Sequence, residues 1–246
     1  MSKRIFISGA SSGIGEYLAY VYAKQGATLG LSARRKEKLE TVAAACREYG
    51  GKTYIYQVDA KDRLAAKESA DDFIQQTDGI DMVIANAGIG GHDDLMSGDA
   101  TAINNIIETN VMGVNNTLMP FIPKMKEQKS GILVNVSSIA SFMRIPYHGG
   151  YAGAKVNIRF IADSWRLTLK KYNIQVTTIC PGFIKTPMTA ELKGMPFLMP
   201  VETAVEKIAN AIDRGKKTFV FPWQMKIMIN LLKILPDGVI KMFGSK

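Results

Sequence analysis

The sequence predicts an α/β fold, a doubly wound parallel sheet of about seven strands with helices on both faces. Three observations predict it. Short β-rich runs alternate with helical patterns along most of the chain, and a βαβα order implies parallel strands joined by crossover helices. A glycine-rich turn from Gly9 to Gly15 stands between the first such run and the first helix. The 246 residues are 47% hydrophobic and contain no linker, low-complexity tract or internal repeat, so one domain spanning 1–246 is expected.

The elements follow in order. Arg4 to Ser8 is the first β-rich run, and the helix from Ile14 to Gln25 ends at Gly26, a C-cap. Thr28 to Leu31 is the second strand, and Lys36 to Tyr49 is a helix closed by Gly50 and Gly51. Thr53 to Val58 is the third strand, Arg63 to Gln76 a helix, and Asp81 to Ala85 the fourth strand. After a loop to about Asp99, one long helical stretch is expected from Ala100 to about Gln128. Ile132 to Val136 is the fifth strand, Ala152 to Lys171 a helix, and Ile174 to Ile179 the sixth strand. Val201 to Ala211 reads as a helix and Lys217 to Phe221 as a short seventh strand. Ligands of such sheets bind outside the carboxyl ends of the strands, so function is sought just after each strand.

Composition excludes several classes. Lys and Arg outnumber Asp and Glu by 31 to 22, a net charge of +9. The basic residues are scattered and form no nucleic-acid motif, so an anionic small ligand fits better than nucleic acid. The N-terminal run MSKRIFIS reaches the glycine turn too soon for a signal peptide. No run of about 18 residues is both uncharged and apolar, so a spanning helix is not supported. Cys46 and Cys180 read as two buried thiols, which suits a reducing, cytoplasmic location. His92 beside Asp93 and Asp94 lacks a ligand spacing, and no metal is predicted.

The turn SGASSGIG has the makings of a phosphate cradle. Glycines permit a tight turn and close approach, and a helix N-terminus offers free N–H groups to an anion. A second constellation lies at the fifth strand. Ser137 and Ser138 close the run GILVNV, and Tyr151 and Lys155 stand one helical turn apart on the next helix. A hydroxyl facing a tyrosine and a lysine is an acid–base arrangement. Ser137 reads as a backbone-bonding neighbour.

The G-x-x-x-G-x-G spacing of Gly9, Gly13 and Gly15 resembles the short-chain dehydrogenase/reductase family, a Rossmann-like fold. The resemblance continues in Asn86, Ala87 and Gly88, in Asn110 of ETNVMGV, in Ser138, in Tyr151-x-x-x-Lys155, and in Pro181 and Gly182 followed by Thr186. It covers roughly residues 3 to 221, with the motifs at the expected strand ends. It implies that Asn110, Ser138, Tyr151 and Lys155 are catalytic. It implies cofactor contacts at Gly9, Ser11, Ser12, Gly13, Ile14, Gly15, Asp59, Asn86, Ala87, Gly88, Tyr151, Lys155, Pro181, Gly182, Ile184 and Thr186. Asp59 would meet the adenine amino group, and as a plain structural residue it would cap the following helix. Asn110 would hold a water beside Lys155.

The choice of dinucleotide rests on the second strand. NAD(H) is gripped by a carboxylate at its end, and here LSARRKEKLE has none before Glu37. Arg34 and Arg35 stand there instead, and a guanidinium clamps a phosphate. Cations at a helix N-terminus oppose its dipole, so they imply an anion. NADP(H) is therefore expected over NAD(H). Ser12 stands where many NADP-using relatives carry a further basic residue.

Carbonyl reduction needs a proton at the oxygen, and Tyr151 is the expected donor. Moving its pKa from about 10 to near 7 asks for about 4 kcal/mol, which a lysine charge at about 4 Å supplies. The substrate side is expected at Ser138, Phe142, His148, Tyr151, Phe183 and Met188. The apolar loop at about 182–200 reads as a lid over a lipophilic carbonyl or alcohol. The extension at about 222–246 places Lys226, Asn230, Lys233, Asp237 and Lys241 on one helical stripe, with a break at Pro236 and Gly238. Its apolar arc packs on protein or, in a second reading, on a membrane surface. The resemblance implies a homodimer or homotetramer. The rival readings are an NAD(H)-dependent enzyme of the same family and a non-catalytic dinucleotide sensor or membrane-surface adaptor.

Overall fold

A computed structural model of the chain describes residues 2–192 and 194–232. The strands are β1 (Arg4–Ser8), β2 (Thr28–Ala33), β3 (Lys52–Gln57), β4 (Met82–Ala85), β5 (Gly131–Val136), β6 (Ile174–Pro181) and β7 (Thr218–Phe221). They form one parallel sheet in the order β3-β2-β1-β4-β5-β6-β7. Strand order reverses direction between β1 and β4, which opens a crevice at their carboxyl ends. The inner strands are short continuous apolar runs, as strands covered on both faces must be. All four residues of β4 are buried.

The helices are α1 (Gly13–Ala23), α2 (Lys36–Glu48), α3 (Arg63–Thr77), α4 (Thr101–Ile107), α5 (Gly113–Leu118), α6 (Ile122–Gln128), α7 (Gly149–Leu169), α8 (Val201–Asp213) and α9 (Trp223–Leu232). α1, α2 and α8 bury Leu18, Leu39 and Ile208 against one face of the sheet. On the other face α3, α5, α6 and α7 bury Phe73, Leu118, Met125 and Ile158. There Phe6 meets Phe73 edge-on at 5.7 Å and Phe121 at 5.0 Å. Gly30 of β2 leaves room for them, since a Cβ would lie 2.5 Å from Phe6 and 2.9 Å from Phe73.

Several expected boundaries shift. β2 and β6 run two residues further than expected, and α7 begins three residues earlier. The expected continuous helix from Ala100 to Gln128 is broken in two places. A π-helical turn at Glu108–Met112 separates α4 from α5, and a 3₁₀ turn at Met119–Phe121, carrying Pro120, separates α5 from α6. In α9, Met225 and Ile229 are buried against Ile139, so this part of the apolar arc packs on its own chain. Lys233, Pro236, Asp237, Gly238 and Lys241 lie outside the described residues. No helix among the described residues is long and apolar enough to cross a membrane.

Candidate active site

The turn after β1 lines a cleft of about 220 Å³ at the carboxyl edge of the sheet. Gly9 and Gly13 have φ of +67° and +59°, the left-handed region that favours glycine. A Cβ on Gly9 would lie 2.8 Å from the Ala87 backbone, and one on Gly15 would collide with the Gly9 carbonyl. Bare backbone is what lets this loop press against the turn after β4. Asn86 Nδ2 locks the two together, donating to the carbonyls of Ser8 at 3.3 Å and Gly9 at 3.1 Å. Ser12 is the N-cap residue of α1, but its side chain makes no capping bond. The first-turn amides of α1 therefore remain to serve an anion.

Arg35 reaches back over this loop. Its Nη2 donates to Ser11 Oγ at 2.9 Å and Ser12 Oγ at 2.7 Å. The Arg34 side chain is 67% exposed and stands 4.0 Å from Asp59. The expectation that Asp59 caps the next helix is corrected. Helix α3 starts at Arg63, so its N-cap is Asp62, which accepts from the amides of Leu64 and Ala65 at 3.0 Å. Asp59 instead accepts from the Lys61 amide at 3.0 Å.

The second constellation meets the other end of this crevice. β5 ends at Val136, and α7 starts two residues before Tyr151. Lys155 is 4% exposed, and its Nζ donates to the Val136 carbonyl at 3.0 Å. Its Nζ lies 5.7 Å from the Tyr151 ring centroid. Ser138 opens the 3₁₀ turn Ile139–Phe142, where its Oγ accepts from the Ala140 amide at 3.1 Å and hydrogen-bonds Tyr151. Ser137 Oγ donates to the Lys155 carbonyl at 2.9 Å and is a structural neighbour, as expected.

Asn110 sits in the π-helical turn and is fully buried. Its Nδ2 donates to the carbonyls of Ile89 at 2.8 Å and Ile106 at 3.0 Å, while its Oδ1 has no partner. A Cβ on Gly88 would lie 2.6 Å from that oxygen and 3.3 Å from Lys155 Nζ. Glycine at 88 thus keeps a polar space open between Asn110 and Lys155.

Electrostatics correct one expectation. Lys155 was expected to draw the Tyr151 pKa down toward neutrality. Burial instead pushes the phenol above its usual 10, with the Ser138 hydrogen bond opposing. Burial also pulls the Lys155 ammonium from 10.5 down to about 8, against the Cys180 thiol. Tyr151 therefore holds its proton at neutral pH, and Lys155 is mostly charged there.

The remaining predicted residues divide. Gly9, Ser11, Ser12, Gly13, Ile14, Arg34, Arg35, Asp59, Asn86, Ala87, Gly88, Thr186 and Met188 line the cleft. Ile184 is buried and bridges to Met199, while the Gly182 amide donates to the Phe221 carbonyl at 2.7 Å, so these build the base of the 182–200 loop. Phe142 and Phe183 were expected to face substrate. They pack in a cluster around Ile139, Met225 and Ile229, because α9 covers that side. His148 Nδ1 donates to the Gly91 carbonyl at 2.7 Å, and its ring lies against His92 at 4.2 Å, tilted by 40°. Ser32, Ala33, Val58, Ile89 and Thr109 also line the cleft and went unpredicted. All but Thr109 lie at or just past strand ends, which is the signal that would have found them. No group of three or more metal-binding side chains occurs among the described residues.

Comparison with known proteins agrees with this geometry. The sequence pattern described as short chain dehydrogenase matches residues 3–196. An uncharacterized oxidoreductase of Myxococcus xanthus is 34% identical over 236 residues, 96% of this chain and 93% of that protein. A 3-oxoacyl-acyl-carrier-protein reductase of Thermotoga maritima is 33% identical over 190 residues, 77% of each chain. The solved structure of an alcohol dehydrogenase from Thermococcus sibiricus, complexed with 5-hydroxy-NADP, superposes with a TM-score of 0.81 at 25% identity, covering 90% of this chain and 96% of that one.

Proposed function

The chain belongs to the short-chain dehydrogenase/reductase family of oxidoreductases, and from that premise we propose that it interconverts a carbonyl and an alcohol with NADP(H). The observation that carries the proposal is the meeting of Ser138, Tyr151 and Lys155 beyond the glycine-lined cleft. The fit to a dinucleotide rests on three features. Gly9 and Gly15 let the bare loop backbone close against the turn after β4 along the cleft, α1 presents uncapped amides, and the Asn110 Oδ1 is buried without a partner.

The pyrophosphate belongs at Gly9 to Gly15, the adenine beside Asp59, and the nicotinamide end near Asn86 to Gly88, Lys155 and Thr186. A 2′-phosphate would sit among Ser11, Ser12, Arg34 and Arg35, where the cleft lining carries two guanidiniums and a single carboxylate, Asp59, which stands against Arg34. The name of the Thermococcus relative's ligand favours the same cofactor.

When bound, the nicotinamide supplies or accepts hydride. The chain supplies the proton. Ser138 Oγ already accepts from the Ala140 amide, and its hydrogen, turned toward Tyr151, is the one that would swing to the substrate oxygen. Tyr151, protonated at neutral pH, donates to that same oxygen. The phenolate left behind is stabilised by the charge of Lys155, whose Nζ stands 5.7 Å from the centre of the same ring. Asn110 Oδ1 and Lys155 Nζ bracket the space in which a water can pass the proton on. The substrate is lipophilic, since Leu192, Phe197 and Leu198 of the 182–200 loop and Leu95 and Met96 of the 89–99 loop stay exposed. The partner is a second copy of the chain, through α7, where Phe160 is 72% and Leu167 82% exposed.

The test is Tyr151→Phe. It should bind NADPH as the native protein does and lose turnover of any carbonyl that the native protein reduces. Undiminished turnover would refute the mechanism.

A further inference from the structure

Helix α7 carries both Tyr151 and Lys155, yet its N-terminus is not capped from its own segment. His148 occupies the N-cap position and makes no side-chain cap bond. The cap comes from 57 residues earlier in the chain. Both carboxylate oxygens of Asp93 accept from the Gly150 amide, at 3.0 and 3.1 Å. Asp93 is only 7% exposed, and its own amide donates to the Tyr147 carbonyl at 2.6 Å. With the His148–Gly91 bond, three contacts clamp residues 91–93 onto residues 147–150. A negative group at a helix N-terminus also opposes the positive end of the helix dipole.

The sequence around the clamp is cut to fit it. Gly149 and Gly150 need no left-handed backbone, and glycine weakens a helix. Their reason is room, since a Cβ on either would lie 2.9 Å from an Asp93 carboxylate oxygen. Gly150 immediately precedes Tyr151. The clamped loop also begins at Ile89, whose carbonyl holds Asn110. Asp93 thus joins the Asn110 wall of the site to the first turn of the Tyr151 helix.

Building on the reading of Tyr151 as proton donor, we propose that Asp93 is a positioning residue that sets the Tyr151 hydroxyl against Ser138 by capping α7 from outside. Asp93→Ala should raise hydrogen exchange in the first turn of α7 and lower kcat, each by about tenfold, the scale of losing one cap. The KM values for NADPH and carbonyl should stay within about twofold, and Asp93→Asn, which keeps an acceptor oxygen, should recover most of kcat. If Asp93→Ala does not fold, Gly150→Ala displaces the carboxylate from the other side and carries the same expectation. Native exchange in that turn overturns the proposal, as does a loss of kcat that Asp93→Asn shares in full. If the native protein reduces no carbonyl, the reading of Tyr151 fails, and exchange alone decides whether Asp93 caps the helix.

Discussion

Replacing Lys155 by methionine should stabilise the fold while removing the reaction. Burial holds the ammonium near pKa 8, against 10.5 in its ordinary state. A lysine depressed in this way weakens the fold while both states are charged. The penalty fades as pH rises from about 8 to 10.5, because the unfolded chain keeps a proton that the folded one has released. It amounts to about 3 kcal/mol at pH 7 and about 1 kcal/mol at pH 10. Methionine fills a similar volume without the charge, but it leaves the Val136 carbonyl unpaired, which costs about 1 kcal/mol. Lys155→Met should therefore be about 2 kcal/mol more stable than the native chain at pH 7 and about equal to it at pH 10. The assay is urea unfolding of both proteins at pH 7, 8.5 and 10, with the slopes checked for equality. Buried groups away from Lys155 titrate alike in both chains and cancel in the difference, while the Cys180 thiol, pushed up by burial to about 11, stays mostly protonated to pH 10. Equal stability at pH 7, or a difference that does not change with pH, would refute the burial argument. A stabilised variant without turnover would show what the site costs the fold.

Arg35→Ser should weaken NADPH binding by about tenfold or more and NADH binding by less than about threefold, read from the two dissociation constants. Equal losses would remove the 2′-phosphate argument. Gly88→Ala puts a methyl group 2.6 Å from Asn110 Oδ1, so turnover should fall by about a hundredfold, and stability by about 1–3 kcal/mol in urea titrations. Carbonyl reduction at saturating NADPH should decline as pH rises through about 8, where Lys155 loses its charge; a rate constant flat to pH 9 would contradict this role. Sedimentation of Phe160→Glu should give a smaller particle than the native protein, since that exposed ring sits on the surface expected to meet a second copy.

Much of the site was legible because its signals are local. A strand followed by Gly9, Gly13 and Gly15 can be read without knowing what surrounds it, since positive φ and close backbone approach demand glycine. Asn86 to Gly88 and Ser138 sit just past β4 and β5, where an alternating pattern already places a ligand. The four-residue interval from Tyr151 to Lys155 sets a shared helix face. Cys46 and Cys180 are free, buried thiols, as their places in a helical pattern and at a strand implied.

What the sequence determined alone is therefore the order of elements, the strand ends to within about two residues, and the residue types placed there. Tertiary structure decided the rest, because the remaining features depend on atoms distant in the chain. Periodicity sees 100–128 as one helix, and only packing reveals the π-helical turn that buries Asn110. Arg35 was legible as a cation, but not its reach back to Ser11 and Ser12. Burial reverses the sign that spacing implies for the Tyr151 shift, because a pair interaction follows from spacing whereas desolvation sums over every neighbour. The Asp93 cap on Gly150 spans 57 residues. No local pattern marks it, since a buried carboxylate finds its partner only when the loop after β4 and the start of α7 come together in the folded chain.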